Sequence, residues 1–282
     1  MEISDIKWLH VEASSNCNAW CPACPRNNNG FGVREDLIEQ DLSTERFREV
    51  LATLPFLDGV QFCGNYGDPA VAENIIELIT LAKQHSKKIQ IHTNGGARST
   101  TWWSELADLL SDIPHDVWFG IDGLKGTHEI YRQGTTYDKV TANAQAFISN
   151  GGFATWQFIP YAHNEDELKD CIRASQRLGF KKFKLVKSYR NKQLAKHYRT
   201  GEEFELLPPK EFQQVIHFSK RVNVVDPKNC MHLSQPGVYL DSLGNLSRCC
   251  YLNGIENFDS IEKVLYNHVD LTNNVCLHTC GT

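Results

Sequence analysis

The chain has 282 residues, 41% of them hydrophobic, enough for the core of one large domain or of a medium and a small one. Its formal charge of −5 argues against broad electrostatic capture of nucleic acid, and it has no apolar run of about 18 residues that would make a transmembrane helix. The opening MEISDIKWLHVEASS carries acids early and lacks the apolar stretch of a secretory signal, so a cytoplasmic protein is the expectation.

Residues 6–12 (IKWLHVE) are rich in branched and aromatic side chains and predict a strand. Residues 43–54 open with a Ser N-cap and predict a helix. A second strand follows at 59–63, and then Val71, Ile75, Leu78, Ile79 and Ala82 recur at helical spacing. Strand 88–92 (KIQIH), helix 101–111 and strand 116–121 (DVWFGI) continue the alternation. Helix 138–150 sets Val140, Ala144, Phe147 and Ile148 on one face, and strand 153–159 follows it. Helix 165–178 ends at Gly179, a suitable C′ glycine, and leads into a sixth strand at 182–186. Six strands alternating with helices imply an α/β fold with a parallel sheet and right-handed crossovers. Both a doubly wound open sheet and an incomplete barrel fit this pattern, and both put chemistry at the C-terminal ends of the strands.

Residues 188–209 break the alternation. They are polar and end in Pro-Pro, which reads as a linker, with a helix expected over about 210–221. In the tail, residues 238–240 and 246–248 flank the turn 241–245 and predict a hairpin. That piece is too small to build much core, and a bound metal would supply the missing stability.

Ten cysteines are many for a cytosolic chain of this size. A reducing compartment disfavours structural disulfides, so clustered cysteines point to metal or redox chemistry. Cys17, Cys21 and Cys24 follow the first strand as C-x3-C-x2-C, and Cys230, Cys249, Cys250, Cys276 and Cys280 gather near the end. Cys63 and Cys171 stand alone and are expected in the core, although Cys63 is close enough to the Gly-Asp-Pro loop to line a pocket. Three thiolates in a short loop suit three corners of a [4Fe–4S] cube, and soft ligands select such clusters or zinc. Three ligands leave the fourth iron open to a small chelating molecule. Zinc is the plainer alternative, but it needs a fourth ligand and commonly uses paired cysteines.

This cysteine pattern, after the first strand of a six-unit β/α domain, resembles the radical SAM superfamily. The resemblance implies a partial (β/α)6, TIM-like barrel that binds S-adenosylmethionine (SAM) at the open iron of a [4Fe–4S] cluster. It implies reductive cleavage of SAM to a 5′-deoxyadenosyl radical that takes hydrogen from a substrate. Further segments are similar in the expected order. Gly64-Asn-Tyr-Gly67-Asp68-Pro69 resembles the Gly-Gly-Glu-Pro segment that receives the SAM ammonium, with Asp68 in place of Glu; an ordinary turn is the plainer reading. Thr93-Asn94-Gly95 matches a segment at the floor of the site. Gly120-Ile-Asp122-Gly123 is similar to Ser-Leu-Asp-Gly, whose Asp lies near the ribose hydroxyls. In His128-Glu-Ile-Tyr-Arg132, the arginine corresponds to one that binds the SAM carboxylate, where a guanidinium is suited by bidentate pairing. Ala23 stands where many members carry an adenine-contacting aromatic, and Trp20 is not assigned to that role.

The terminal cysteines look like an auxiliary-cluster extension, called SPASM in its full form and twitch in its short form. Five cysteines suffice for one further [4Fe–4S] cluster, which favours twitch. The implied ligands are Cys230, Cys249, Cys276 and Cys280, with Cys250 as the alternative to Cys249 and with structural zinc, or ligation by His232 or His278, as competing readings. The expected division is a barrel over 1–190, a linker with a helix over 191–225 and a small α+β auxiliary domain over 226–282.

The implied reaction is hydrogen abstraction from a peptide or small polar substrate, as a net oxidation with the second cluster as electron conduit. A flavodoxin or ferredoxin is the expected reducing partner. Lys184, Lys187, Tyr189 and Arg190 can meet an anionic group, although a solvated basic stretch is the simpler reading. A non-catalytic iron–sulfur or zinc protein is the alternative class. Nucleic-acid binding lacks a basic face.

Overall fold

In a computed structural model of the chain, residues 2–186, 193–210, 237–252 and 257–266 are described. Strands β1 (Trp8–Val11), β2 (Gly59–Phe62), β3 (Ile89–Thr93), β4 (His115–Gly120), β5 (Ala154–Phe158) and β6 (Lys182–Leu185) pair side by side, all parallel. Helices α1 (Thr44–Thr53), α2 (Ile75–His85), α3 (Thr100–Leu110), α4 (His128–Tyr131), α5 (Tyr137–Ser149) and α6 (Leu168–Arg177) lie between them. This is the partial (β/α)6, TIM-like arrangement that the family resemblance implies, a choice the alternation alone left open.

Alternation along the strands sorts side chains to two faces. Leu9, Val11, Val60, Phe62, Ile89, Ile91, Val117 and Phe119 are buried under the helices. The intervening positions, His10, Gln61, His92 and Gln157 among them, stand on the opposite, polar face. Trp103 of α3 and Phe147 of α5 close over Phe119, with ring centroids 5.0 and 6.1 Å away. Each such ring contributes about 1.5–3 kcal/mol by burial. Hydroxyl caps start three helices: Ser43, Ser99 and Thr136 each accept from a backbone N–H three residues on, at 3.2 Å.

Two features depart from expectation. Part of the stretch read as a linker is a hairpin, β7 (Gln193–Lys196) and β8 (Glu203–Leu206), paired antiparallel. Each strand is short and buries one side chain fully, Ala195 or Leu206, so polar residues mask the alternation. These two join Ala19, Cys21, Tyr131 and Tyr161 in a second, small core against the cysteine loop. The hairpin expected in the tail forms as β9 (Gly237–Leu240) and β10 (Leu246–Ser247), but it is not a separate sheet. β9 adds parallel to β1 with Tyr239 beside His10, giving the order β10-β9-β1-β2-β3-β4-β5-β6. A helix α7 (Ile261–Tyr266) follows. Cys230, Cys276, Cys280, His232, His278, Lys187, Tyr189, Arg190 and nearly all of the helix expected over 210–221 lie outside the described residues.

Candidate active site

The loop after β1 is pinned by its own polar groups. The Arg26 guanidinium, almost fully buried, donates to Ser15 O and to Glu39. Asn27 Nδ2 reaches Cys21 O at 3.2 Å, and Cys24 N closes a turn onto Cys21 O at 3.0 Å. Trp20 N donates to Gln133 O at 2.6 Å, and its indole stacks on Tyr198 from the β7–β8 hairpin, with centroids 5.5 Å apart. Trp20 is therefore a packing residue that ties this hairpin down.

The loop delivers Cys17, Cys21 and Cys24 to one cavity of about 450 Å³ at the C-terminal ends of the strands. Asn94 Nδ2 lies 3.6 Å from Cys17 Sγ and 2.9 Å from Asn18 Oδ1, and Ala19 N lies 3.4 Å from the same sulfur. Burial, with Asp68, Cys21 and Cys24 nearby, pushes the Cys17 thiol up. Loading a metal group there therefore releases protons. Among the described residues no three His, Cys, Asp or Glu side chains converge as ligands of a single metal ion. Three thiolates on one cavity wall can go to three separate irons of a cluster, so the residues present fit such a group.

The Gly64–Asp68 loop forms the adjoining wall. A Cβ on Gly67 would fall 1.8 Å from Ser14 O, so only glycine lets this loop rest on the segment after β1. Asp68 does not offer a free carboxylate. It caps the turn Pro69–Val71 through Ala70 N at 2.9 Å, and it accepts from Thr93 Oγ1 at 2.9 Å and Asn94 N at 2.6 Å. Burial pushes its carboxyl up, and these donors oppose the shift. Glu12, just past β1, escaped the sequence analysis. It is 1% exposed, and its Oε1 accepts from Tyr66 N at 2.6 Å and Gly67 N at 3.0 Å, while Tyr239 Oη donates to Oε2 at 2.5 Å.

Arg132 lines the cavity between these elements. Its Nε donates to Asp122 Oδ2 at 2.6 Å and its Nη1 lies 4.0 Å from Cys21 Sγ. A Cβ on Gly120 would fall 2.7 Å from Arg132 Nη2, which explains glycine where serine is usual. Asp122 itself does not line the cavity. It is fully buried behind Arg132, and its second oxygen accepts from Ile159 N at 2.6 Å. His128, also fully buried, accepts from Asp122 N on Nδ1 at 3.2 Å and approaches Thr135 Oγ1 with Nε2 at 3.0 Å. Burial, and next Arg132, push its imidazole down to about 3.

The remaining wall holds His92, Gln157, Ile159, Cys63 and Cys250. Cys63 thus belongs to the cavity rather than the core, whereas Cys171 is packed in the core as expected. Burial pushes the Cys63 thiol up to about 12. Burial and the His10 ring push His92 down to about 3, and His92 stacks on Trp118 at 4.3 Å. The 249–250 pair divides: Cys250 faces the cavity and Cys249 does not line it.

No protein-family model matches the chain. A stretch of 140 residues is 27% identical to the tungsten-containing aldehyde ferredoxin oxidoreductase cofactor-modifying protein of Pyrococcus furiosus. That match covers 49% of this chain and 36% of the relative, so the chain spans about a third of the relative's length. Streptococcus suis SuiB bound to S-adenosylmethionine is similar in fold, with a TM-score of 0.66 at 12% identity over 97% of this chain and 68% of SuiB. SuiB bound to the precursor peptide SuiA gives 0.63 at 12% identity, covering 97% and 67%. anSMEcpe with bound AdoMet gives 0.62 at 16% identity, covering 95% and 81%. Both hold S-adenosylmethionine in those structures, and this chain shares their fold.

Proposed function

We propose that this chain, which has the radical SAM fold, is a radical SAM enzyme acting on a peptide or small polar substrate. One observation carries the reading: Cys17, Cys21 and Cys24, the Gly64–Asp68 loop and Arg132, separate in sequence, line one cavity at the strand ends. The three cysteines would hold a [4Fe–4S] cluster. When bound, such a cluster would supply the electron for reductive cleavage of SAM to methionine and a 5′-deoxyadenosyl radical, the species that would take a hydrogen atom from the substrate.

The residues around it bind and orient. Arg132 turns its outer nitrogens to the SAM carboxylate, and the backbone of Asn65, Tyr66 and Gly67 receives the ammonium. Asp68 and Asp122 act through their partners, Asp68 by tying its loop to β3 and Asp122 by fixing Arg132, so neither needs to touch the ligand. Asn94 holds Cys17 in place. His92, Gln157 and Ile159 bound the space left for substrate. SuiB takes the precursor peptide SuiA, which supports a peptide here at the level of fold.

Cys230, Cys249, Cys276 and Cys280 would hold an auxiliary [4Fe–4S] cluster. The cavity-facing side chain of Cys250 favours Cys249 as the ligand of the adjacent pair. Such a cluster would supply an acceptor for one electron, which together with hydrogen abstraction would make a two-electron oxidation. A flavodoxin or ferredoxin would be the reductant.

The test is anaerobic reconstitution with iron and sulfide, then SAM and dithionite, with 5′-deoxyadenosine measured by mass spectrometry. The control is Cys17→Ala with Cys21→Ala and Cys24→Ala. Deoxyadenosine from wild type alone is the expected result. Iron-loaded protein that neither cleaves nor binds SAM would reject the proposal in favour of a non-catalytic iron–sulfur or zinc protein.

A further inference from the structure

Asp68 occupies the place of an acid expected to meet the SAM ammonium, yet its oxygens are taken by Ala70 N, Thr93 Oγ1 and Asn94 N. Another carboxylate stands behind the same loop. Glu12 Oε1 accepts from two successive backbone groups, Tyr66 N and Gly67 N, at 2.6 and 3.0 Å. All peptide bonds in the described chain are trans, and a planar trans peptide points its C=O opposite to its N–H. Fixing the Tyr66 and Gly67 amides toward Glu12 therefore aims the Asn65 and Tyr66 carbonyls the other way. Asn65, Tyr66 and Gly67 line the cavity and Glu12 does not, which sets Glu12 behind the loop as seen from the cavity.

Two successive carbonyls with a buried carboxylate behind them form a site for an ammonium group. The carbonyls accept its N–H bonds, and Glu12 supplies the compensating charge from beneath. Tyr239 holds the other end of the device. Its hydroxyl donates to Glu12 Oε2 at 2.5 Å, from β9 of the tail hairpin, which pairs directly with β1. Asn65 Nδ2 adds a second tie to the tail by donating to Cys250 O at 2.5 Å.

We infer that Glu12, oriented by Tyr239, is the positioning residue that shapes the ammonium subsite for SAM, so that the C-terminal hairpin is a structural part of the SAM site. The inference rests on the radical SAM reading of the cavity. It makes the hairpin a determinant of SAM recognition in its own right.

The test compares SAM with its analogue lacking the α-amino group, using reconstituted full-length protein and equilibrium binding under anaerobiosis. Wild type should prefer SAM by at least tenfold. Glu12→Gln keeps the side-chain shape, removes the charge and should shrink that preference to within about threefold. Tyr239→Phe should shrink it partly, and Glu12→Asp should restore none of the lost alignment. In cluster-free protein, amide exchange over residues 64–68 should accelerate in Glu12→Gln and Tyr239→Phe, with slow exchange kept in β3. A merely structural role would weaken binding of SAM and its analogue equally. Preserved amino discrimination in a folded Glu12→Gln or Tyr239→Phe variant overturns the inference. Wild type that fails to bind SAM overturns the functional reading beneath it, and the wild-type measurement alone separates the two failures.

Discussion

Replacing Arg132 with methionine should destabilise the protein far more than loss of one partly exposed arginine would suggest. Asp122 is fully buried, and the Arg132 guanidinium reaches it at 2.6 Å with 15% of its own side chain exposed. Methionine fills much of the volume and removes the counter-charge. Breaking one side of a buried ion pair costs about 3–5 kcal/mol. The residual exposure of Arg132 places this case near the lower end, about 3 kcal/mol. A domain is typically stable by roughly 5–15 kcal/mol, so the urea midpoint should fall visibly. The double variant Arg132→Met with Asp122→Asn removes the stranded charge and keeps an oxygen for Ile159 N. It should recover about 2 kcal/mol relative to the single variant. The assay is urea unfolding of cluster-free protein followed by far-UV circular dichroism under reductant. Arg132→Met within about 0.5 kcal/mol of wild type, or a double variant with simply summed losses, would refute the argument.

Acid titration should find a transition shared by His92 and, in the same window, His128. The His128 imidazole takes a proton near 6.5 in the unfolded chain and near 3 in the folded one, so stability falls as pH drops through that window. At about 1.36 kcal/mol per unit its share of the loss approaches roughly 4–5 kcal/mol once pH reaches about 3, and His128→Asn should remove that share and leave the share of His92 in the profile measured by chemical denaturation. Gly67→Ala drives a Cβ against a backbone oxygen that has no rotamer to escape by, so at least about 2 kcal/mol of stability and SAM binding should go together, as thermal melts and equilibrium dialysis would report. In Gly120→Ala the nearest atoms belong to the guanidinium of Arg132, whose outer nitrogens can turn away while Nε keeps its bond to Asp122. SAM affinity should then fall about tenfold with little change in the melting temperature, and an equal loss of both would reject that distinction. Tyr198→Ala unstacks Trp20 and should cost about 0.5–1.5 kcal/mol, measured by urea unfolding.

The six parallel strands were legible because each carries two or more apolar residues on a helix-facing parity, as Ile89 and Ile91 do in β3. The cysteine loop was legible because its three cysteines lie within eight positions, Cys17 to Cys24. Depth was not legible. Asp122 reads from sequence as a ligand-facing acid, but it lies behind Arg132, and no local pattern distinguishes the two placements. Glu12 was missed because its partners lie 54, 55 and 227 residues away. Its position in the alternation after His10, on the polar parity of β1, was the available signal. The β7–β8 hairpin was read as linker because charge dominates Glu203–Leu206, and the reason to fold there is the small apolar shelf of Ala19, Tyr131 and Tyr161 beneath it.

The join between β9 and β1 has a consequence for biosynthesis. The hydroxyl that holds Glu12 is made 227 residues after Glu12 itself. At about 5–20 residues per second, the three thiols leave the ribosome on the order of ten seconds or more before Tyr239 exists to help shape the wall beside them. During that interval the cysteine loop is exposed to oxidants and stray metal ions without its finished cavity. Contacts of such long sequence separation also form late and slowly. An expression host that slows translation across the last third of the message would lengthen the exposure, whereas one that supplies iron and sulfide during synthesis would meet the thiols while they are still open.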